Sequence, residues 1–237
     1  MKILEYIAVI FFEYIDKFFH QRRIIKTIKK EVSQLNNFID VGAYKGTYTD
    51  LVLNNFKPNK ILMFEPQDEI YDYLKKKYSY NQNIHVYKKA LSNKNENAKF
   101  NFNRHNLTSS LSNLDPNNSY LKMKAKLFGT TSQGMIVDTK TIQTTTLFSV
   151  LEKENLETID FLKVDTEGHE LQVLQGMKEK IKIIKHLLVE FHNDEIYISY
   201  DPEFLHEYLI SHNFKLIKKF KFPFTTWEDR LYTNLEK

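Results

Sequence analysis

From Asn37 onward, short apolar segments alternate with amphipathic helical patterns. Parallel strands need a long crossover between them, and a helix is the usual one. The alternation therefore predicts an α/β domain with a Rossmann-like, mostly parallel sheet. Two apolar segments without a helix between them, 214–220 and 231–235, predict an antiparallel C-terminal hairpin. Strands are expected over 38–41, 60–65, 84–91, 135–144, 159–164 and 186–191, and helices over 48–55, 68–78, 147–154, 171–177 and 202–211.

The middle of the chain is less regular. Phe100 and Phe102 alternate with polar residues, as in a half-buried strand. Residues 103–119 are rich in Asn and Ser and predict a long loop. Loops of that length in a compact domain are usually functional or disordered.

Residues 1–35 are expected to form a helical extension before the α/β domain of residues 36–237. The segment from Ile3 to Phe19 is apolar and aromatic, but acidic residues interrupt it. Its longest uninterrupted run, Ile7 to Phe12, is far shorter than the roughly 20 apolar residues of a membrane span. A helix packed on the domain or on a partner is the first interpretation. An in-plane membrane helix through residues 1–30 is the second, because basic residues follow the apolar segment.

Composition limits the partners and the compartment. The chain has 34 basic and 30 acidic residues, a net charge of +4. Only four basic residues are Arg, namely Arg22, Arg23, Arg104 and Arg230. Nucleic-acid binders usually carry denser basic patches, so nucleic acid is not expected as a partner. The chain has no Cys, which excludes disulfides and thiolate chemistry and is compatible with the expected cytoplasmic location.

The segment from Asp40 to Gly46 joins the first strand to its helix. Gly42 allows a tight turn and a close approach of the backbone to a ligand. The helix that follows has free N–H donors at its N-terminus. The position predicts a nucleotide-cofactor loop, although a glycine that merely ends a strand leaves the same pattern.

Glu65 ends the second strand, 19 residues after Gly46. A carboxylate at that strand end can accept hydrogen bonds from both hydroxyls of a ribose. Dinucleotide sites use G-x-G-x-x-G to hold a pyrophosphate, whereas only Gly42 and Gly46 are present here. S-adenosylmethionine has no phosphate, so the loop favours this nucleoside cofactor over NAD.

Two further strand ends carry acidic and basic side chains. Asp165 and Glu167 follow the strand of residues 159–164, and His192 ends the next strand. His192 is a candidate general base because imidazole titrates near neutrality. The alternative for Glu167 is an acid that complements a helix dipole, and for His192 a structural hydrogen bond.

No pair of His residues has the spacing of a metal motif, and no metal is expected. Convergence of Asp165, Glu190 and His192 on one ion is the disfavoured alternative. Because strands 159–164 and 186–191 are expected to be neighbours, Asp165 and His192 are expected to reach one acceptor hydroxyl.

Four motifs occur in a fixed order within roughly residues 37–195: Phe38–Ala43, Phe64-Glu65-Pro66, Ala90-Leu91-Ser92 and Ile159–Glu170. In these motifs the sequence resembles the FkbM family of methyltransferases. The segment Asp165-Thr166-Glu167-Gly168-His169-Glu170 is the most specific part of the resemblance. Tyr44 departs from the family, which commonly has Asn at that position.

The resemblance implies an enzyme with the class I methyltransferase fold, S-adenosylmethionine as donor and usually a hydroxyl as acceptor, on a sugar, a glycan or a small metabolite. It further implies a role for each matching position. Asp40, Gly42 and Gly46, with Ala43 in the same loop, would line the methionine part of the cofactor; Glu65 would hold the ribose; Ala90 and Leu91 would border the adenine; and Asp165 and Glu167 would flank the reacting centre, with Asp165 or His192 as the base.

Two alternatives from other functional classes remain open. A non-catalytic Rossmann-like binding module would share the fold, but Asp165, Glu167 and His192 at one strand edge favour an active site. An NAD-dependent enzyme would also share it, but the missing third loop glycine argues against a dinucleotide.

Overall fold

The computed structural model describes residues 19–104, 106–223 and 225–236. Its helices are α1 (Gln21–Glu31), α2 (Thr47–Asn55), α3 (Asp68–Lys77), α4 (Ser119–Leu127), α5 (Leu147–Glu154), α6 (Glu170–Gln175) and α7 (Pro202–Ser211). Its strands are β1 (Asn37–Val41), β2 (Lys60–Phe64), β3 (Ile84–Tyr87), β4 (Ala90–Leu91), β5 (Asn97–Asn103), β6 (Ile136–Thr145), β7 (Ile159–Val164), β8 (Ile184–His192), β9 (Phe214–Lys221) and β10 (Trp227–Asn234).

Seven strands form the main sheet in the order β3-β2-β1-β7-β8-β10-β9. All neighbours in the first five strands are parallel, and β10 is antiparallel to both β8 and β9. Val41 is in register with Phe64 on one side and Val164 on the other, so the carboxyl ends of β1, β2 and β7 meet at one edge. This arrangement confirms the predicted Rossmann-like sheet with an antiparallel C-terminal hairpin.

Alternating side chains of the inner strands fill a core on each face of the sheet. Ile39 and Val41 contribute to one core, whereas Phe38 contributes to the other. In β2, Leu62 and Phe64 join the first core, and Ile61 and Met63 join the second. This two-residue period is the geometry of a strand that is covered on both faces.

The predicted strand over residues 84–91 is wrong, because it is two strands in different sheets. β3 continues the main sheet beside β2, with Phe64 opposite Tyr87. After Lys88 and Lys89 the chain turns away, and β4 pairs with β6 in a second sheet of order β4-β6-β5. Helix α4 was not predicted; it begins where the Asn118 side chain accepts a hydrogen bond from the N–H of Leu121.

Helix α1 packs on its own domain. Its residues Ile24, Ile25 and Ile28 are buried in the same core as Phe38 and Val52. The structure therefore shows continuous packing across residue 35, where the extension was expected to end. Residues 1–18, which hold most of the proposed in-plane membrane helix, lie outside the described residues. Within the described ranges, no helix is both long enough and apolar enough to span a bilayer.

Candidate active site

A cleft opens at the carboxyl edge of the main sheet, where β1 and β7 lie side by side. The chain leaves β1 towards β2 on one side, while β7 and β8 extend to the other side, so this is the point where the strand order reverses. Open α/β sheets bind ligands at such a point. The cleft is lined by Gly42, Tyr44, Glu65, Gln67, Lys89, Ala90, Leu91, Phe100, Leu107, Ser110, Asp165, Thr166, Glu167 and His169, among others.

Gly42 allows the turns after β1 and β7 to approach each other closely. Its φ of +75° lies in the left-handed region, and a Cβ there would stand 1.7 Å from the carbonyl oxygen of Asp165. Tyr44 also has a positive φ, +45°. Asn tolerates that region better than most residues, which accounts physically for the Asn that the resemblance leads one to expect there.

Asp40 is placed behind the cleft. Its side chain is fully buried, accepts a hydrogen bond of 2.7 Å from the Thr49 hydroxyl and lies 3.5 Å from the Lys163 ammonium. Burial raises the pKa of Asp40, and Lys163 opposes that rise. In the structure Asp40 holds α2 and β7 together and does not line the cleft.

Gly46 and Ala43 also lie outside the cleft lining. Gly46 caps α2 with a φ of +73°, and a Cβ there would stand 2.4 Å from the Tyr78 hydroxyl. Ala43 is buried in the core of the sheet face that α1 covers. Of the four loop residues expected around the methionine part, only Gly42 lines the cleft.

Glu65 faces the cleft from the end of β2. One carboxylate oxygen accepts a hydrogen bond of 3.1 Å from the N–H of Tyr44, and the other accepts one of 2.9 Å from the N–H of Gln67. These backbone donors fix the orientation of the carboxylate and leave lone pairs for a ligand. Burial raises the pKa of Glu65 to about 7, despite those hydrogen bonds.

The far wall of the cleft is apolar. Ala90 and Leu91 line it from β4, as expected for residues that border an adenine, and Phe100 lines it from β5. His169, which the sequence analysis gave no role, lies beside this wall with its Nε2 3.0 Å from the Ser92 hydroxyl. Burial lowers the pKa of His169 to about 4, so its imidazole is neutral at physiological pH.

Asp165 lies in the cleft at the end of β7, with about a third of its side chain exposed. Its carboxylate is 3.0 Å from the ammonium of Lys163, which also faces Asp40. Burial would lower the pKa of Lys163, but the two aspartates outweigh it and raise that pKa. Lys163 had no predicted role, although a lysine inside a buried strand is a signal for a buried ion pair.

Glu167 sits in a strained turn between β7 and α6. Its φ is +56°, and the next residue, Gly168, has a φ of +87°. A non-glycine residue in that region is uncommon and marks a position that the surroundings hold in place. The Tyr197 hydroxyl donates a short hydrogen bond to the Glu167 carboxylate, and Glu167 also lines the cleft.

His192 lies outside the cleft lining, in a buried cluster beyond Glu167. Its Nε2 is 3.0 Å from the Glu190 carboxylate, and the Tyr197 and Tyr200 rings pack against the imidazole edge to face. Burial alone would lower the pKa of His192, but Glu190, Glu167 and Glu170 raise it to about 10. β7 and β8 are neighbours as expected, yet the structure does not bring His192 to the cleft beside Asp165.

Two long connections cover this end of the sheet, and we call them the cap: residues 106–118 and 194–200. They are joined by backbone hydrogen bonds from Asp115 to Ile196 and from Ile198 to Asn113, each 2.8 Å long. The Ser110 hydroxyl ties the cap to the turn after β7 by donating to the carbonyl of Thr166. The expected long loop therefore forms one wall of the cleft.

The cleft has a negative lining. Three carboxylates face it, those of Glu65, Asp165 and Glu167, and Lys89 is the one cation among its described lining residues. Such a lining disfavours the pyrophosphate of a dinucleotide and suits a ligand with positive charge. S-adenosylmethionine carries a sulfonium and an ammonium group, so its charge complements the cleft.

The methyltransferase FkbM domain family matches residues 40–216, which run from the end of β1 to the start of β9. The chain belongs to this family of methyltransferase domains. The match confirms the predicted resemblance and supports S-adenosylmethionine as the cofactor. No curated protein matches the chain significantly.

Solved structures share the fold of this FkbM-domain protein. The methyltransferase FkbM from Methylobacillus flagellatus KT is 16% identical, with a TM-score of 0.54; the alignment covers 84% of this chain but only 43% of that protein. M. capricolum TrmK bound to S-adenosylhomocysteine is 8% identical, with a TM-score of 0.51 and coverage of 89% and 67%. Streptococcus pneumoniae Sp1610, a proposed tRNA (m1A22) methyltransferase bound to S-adenosyl-L-methionine, is 11% identical, with a TM-score of 0.51 and coverage of 90% and 72%.

The predictions about partners need correction. The exclusion of nucleic acid is wrong, because Sp1610 shares this fold and carries a tRNA assignment. The physical reason is that a whole-chain charge of +4 does not describe the local surface that would meet an acceptor. No match supports a glycan or small-molecule acceptor, and the described part of residues 1–30 packs on the domain core.

Proposed function

We propose that this chain transfers a methyl group from S-adenosylmethionine to a hydroxyl oxygen. The observation that carries the proposal is the acidic cleft at the β1–β7 switch point, with the buried Glu65 carboxylate presented at the end of β2. A dinucleotide enzyme needs a cradle for anionic phosphates, and this lining disfavours one. The Asp165 carboxylate is part-exposed at the cleft beside a buried lysine. This placement favours an enzyme over a binding module that has no catalytic activity.

The lining residues fit the cofactor group by group. Glu65 would accept hydrogen bonds from the ribose hydroxyls, since two backbone N–H groups already hold its carboxylate in place. Ala90, Leu91 and Phe100 would pack against the adenine. Gly42 would leave room at the turn for the methionine part, while Asp165 and Glu167 would face its positive charges.

When bound, S-adenosylmethionine supplies an electrophilic methyl group on a sulfonium. The chain's own contribution is to position the acceptor and remove its proton, because a hydroxyl is a weak nucleophile until its proton is leaving. Asp165 is the carboxylate best placed to accept that proton, since it lines the cleft and is part-exposed. Lys163 would orient the Asp165 carboxylate from behind, through the 3.0 Å ion pair.

We prefer Asp165 to His192 for this role because of where the imidazole lies. The imidazole lies outside the cleft lining and is enclosed by Glu190, Tyr197 and Tyr200. Glu167, which lies between the cleft and His192, has its carboxylate engaged by Tyr197. The proton acceptor is therefore assigned to Asp165 alone.

The test is methyl transfer from tritiated S-adenosylmethionine, with alcohols and RNA offered as separate acceptor pools. Wild type is expected to label a hydroxyl. At saturating S-adenosylmethionine, Asp165→Asn is expected to turn over about 10²–10⁴-fold more slowly, because it loses the base. Asp50→Asn is the matched control, since Asp50 forms a carboxylate–lysine pair with Lys77 away from the cleft. Label found only on RNA base nitrogens, or an Asp165→Asn rate within twofold of wild type, would contradict the proposal.

A further inference from the structure

The buried cluster beyond Glu167 has no role in the proposed proton transfer, yet its polar atoms converge. One carboxylate oxygen each of Glu167 and Glu190 and one imidazole nitrogen of His192 all lie within 4.8 Å of one another. These are ligand types that hold divalent metals in proteins. Two ligands on opposite sides of one ion, each at roughly 2.1 Å, are about 4.2 Å apart, so the cluster is close to the required size.

Two of these atoms lack hydrogen-bond partners. The Glu190 and His192 side chains are nine-tenths or more buried, at 10% and 6% exposure. Oε2 of Glu190 and Nε2 of His192 stand 3.0 Å apart but are not aligned as a hydrogen bond, and neither has another partner among the described residues. Buried polar atoms without partners carry a large desolvation cost, so two that point at the same space indicate a ligand between them.

The local charge also favours a cation. Glu170 adds a third carboxylate near His192, besides those of Glu167 and Glu190. Within the described ranges, no Lys or Arg forms an ion pair with any of them. His192 pairs with Glu190, and Lys124 is a more distant cation near Glu167. An imidazolium offsets one negative charge, whereas a divalent ion offsets two and bonds to the lone pairs directly.

We propose that Glu167, Glu190 and His192 form a binding site for one divalent metal ion. The mixture of two carboxylates and an imidazole suits an ion such as Mn²⁺ or Zn²⁺ better than Ca²⁺ or Mg²⁺, which favour all-oxygen sites. Tyr197, through its hydrogen bond to Glu167, would fix the orientation of one ligand.

The position of the site connects it to the cleft. Glu167 belongs both to the cluster and to the cleft lining, so a bound ion would lie at the acceptor side of the cleft, near Asp165. There it could coordinate the acceptor oxygen and make its proton easier to remove. This use of the ion rests on the proposed function, whereas the binding of the ion does not.

The test is a titration of the full chain with Mn²⁺ after removal of metals by a chelator. Free Mn²⁺ is followed by its electron paramagnetic resonance signal, and Zn²⁺ is then added as a competitor. Wild type is expected to bind one Mn²⁺ that Zn²⁺ displaces. Glu190→Gln and His192→Gln are each expected to weaken binding at least tenfold, because loss of a direct ligand should cost no less than loss of an outer-shell partner.

Asp229→Asn is the matched control. Asp229 is also buried and pairs with a histidine, His20, but it does so through a 2.7 Å hydrogen bond, so neither atom of that pair lacks a partner. This variant is expected to keep wild-type Mn²⁺ affinity. Glu167→Gln provides a variant at a less buried ligand, in case either core substitution prevents folding, and circular dichroism identifies the folded variants.

A folded wild type that binds neither Mn²⁺ nor Zn²⁺ at millimolar concentration overturns the site, as does equal Mn²⁺ affinity in wild type and all folded ligand variants. A parallel titration with S-adenosylmethionine, in the presence of chelator, separates the two proposals. Cofactor binding without metal binding removes the ion site and leaves the methyl-donor assignment in place. Metal binding without cofactor binding removes the methyl-donor assignment and leaves the ion site in place.

Discussion

Glu65 and Glu190 are both buried carboxylates near the carboxyl edge of the sheet, but their oxygen atoms meet different surroundings. Glu65 accepts hydrogen bonds from two backbone N–H groups. Glu190 faces His192, Asp165 and Glu167, and its Oε2 has no hydrogen-bond partner among the described residues. At the cofactor end of the cleft, backbone N–H groups fix the carboxylate. At the acceptor end, several charged side chains lie close to one another.

The backbone of the fold determines the cofactor end of the cleft, whereas side chains determine the acceptor end. Backbone donors at the cofactor end come from the turns after β1 and β2, and these N–H groups are present whatever side chains the turn residues carry. At the acceptor end, the cluster depends on the cap and on the strained turn at Glu167 and Gly168. We therefore expect substitutions at the cofactor end to weaken S-adenosylmethionine binding more than substitutions at the acceptor end.

The largest expected effect on stability is a pH dependence of the unfolding free energy that Glu65 causes. Burial raises its folded-state pKa from 4.5 to about 7, with Asp40 adding to the rise. The folded chain therefore binds this proton more tightly than the unfolded chain, and the associated stability is present below pH 4.5 and lost as the pH rises towards 7. Relative to Glu65→Gln, which cannot titrate, wild type should lose about 2–3 kcal/mol of unfolding free energy between pH 5 and pH 8.

Urea denaturation of both proteins across that range measures the effect. Because the two chains share all other titrating groups, the difference between their curves isolates Glu65. If the difference in unfolding free energy between the two proteins stayed constant from pH 5 to pH 8, Glu65 would have the same pKa in the folded and unfolded chains. That result would contradict the raised pKa of Glu65.

A smaller effect is expected at the acceptor end, from Gly168→Ala. A Cβ at this residue would stand 2.5 Å from the ring of Tyr197, and the φ of +87° already disfavours any side chain. Overpacking of this kind costs about 1–3 kcal/mol, so the unfolding free energy should fall by that amount. S-adenosylmethionine affinity should fall less than in Glu65→Ala, because neither Gly168 nor Tyr197 lines the cleft.

Gly129→Ala is the control for this prediction. Gly129 also has a positive φ, +62°, but it is exposed, so it tests backbone strain without the contact to Tyr197. Equal losses of stability in the two variants would assign the cost to backbone strain alone. A large loss of cofactor affinity in Gly168→Ala would show that the two ends of the cleft are coupled.

Much of the fold could be predicted, because the periodicity of buried strands and helices is a local property of the sequence. Residues 159–164 and 147–154 were expected with the bounds that the structure has. The strand expected over 84–91 was wrong because apolar periodicity does not reveal a change of sheet. The insertion of β10 between β8 and β9 was also beyond the sequence, since a hairpin pattern does not say which of its strands pairs with the rest of the sheet.

The candidate site could also be predicted only in part. The spacing from Gly46 placed Glu65 at a strand end, and the structure puts its carboxylate in the cleft. Asp40 and Gly46 are in the same motif, yet they serve the packing of α2, since a motif gives the position of a residue and not the face its side chain takes. Tyr197 and Tyr200 gave no sequence signal, because only the folded cap brings them to His192.

The most direct test of the cofactor assignment is a calorimetric titration of wild type and Glu65→Ala with S-adenosylmethionine and with NAD⁺. Wild type should bind one S-adenosylmethionine, and Glu65→Ala should bind it ten- to a hundredfold more weakly, since a charge-assisted contact to the ribose is worth about 1.5–3 kcal/mol. Glu69→Ala, which removes an exposed acid in the first turn of α3, should bind like wild type. A folded wild type that does not bind S-adenosylmethionine, or that binds NAD⁺ equally well, would contradict the assignment.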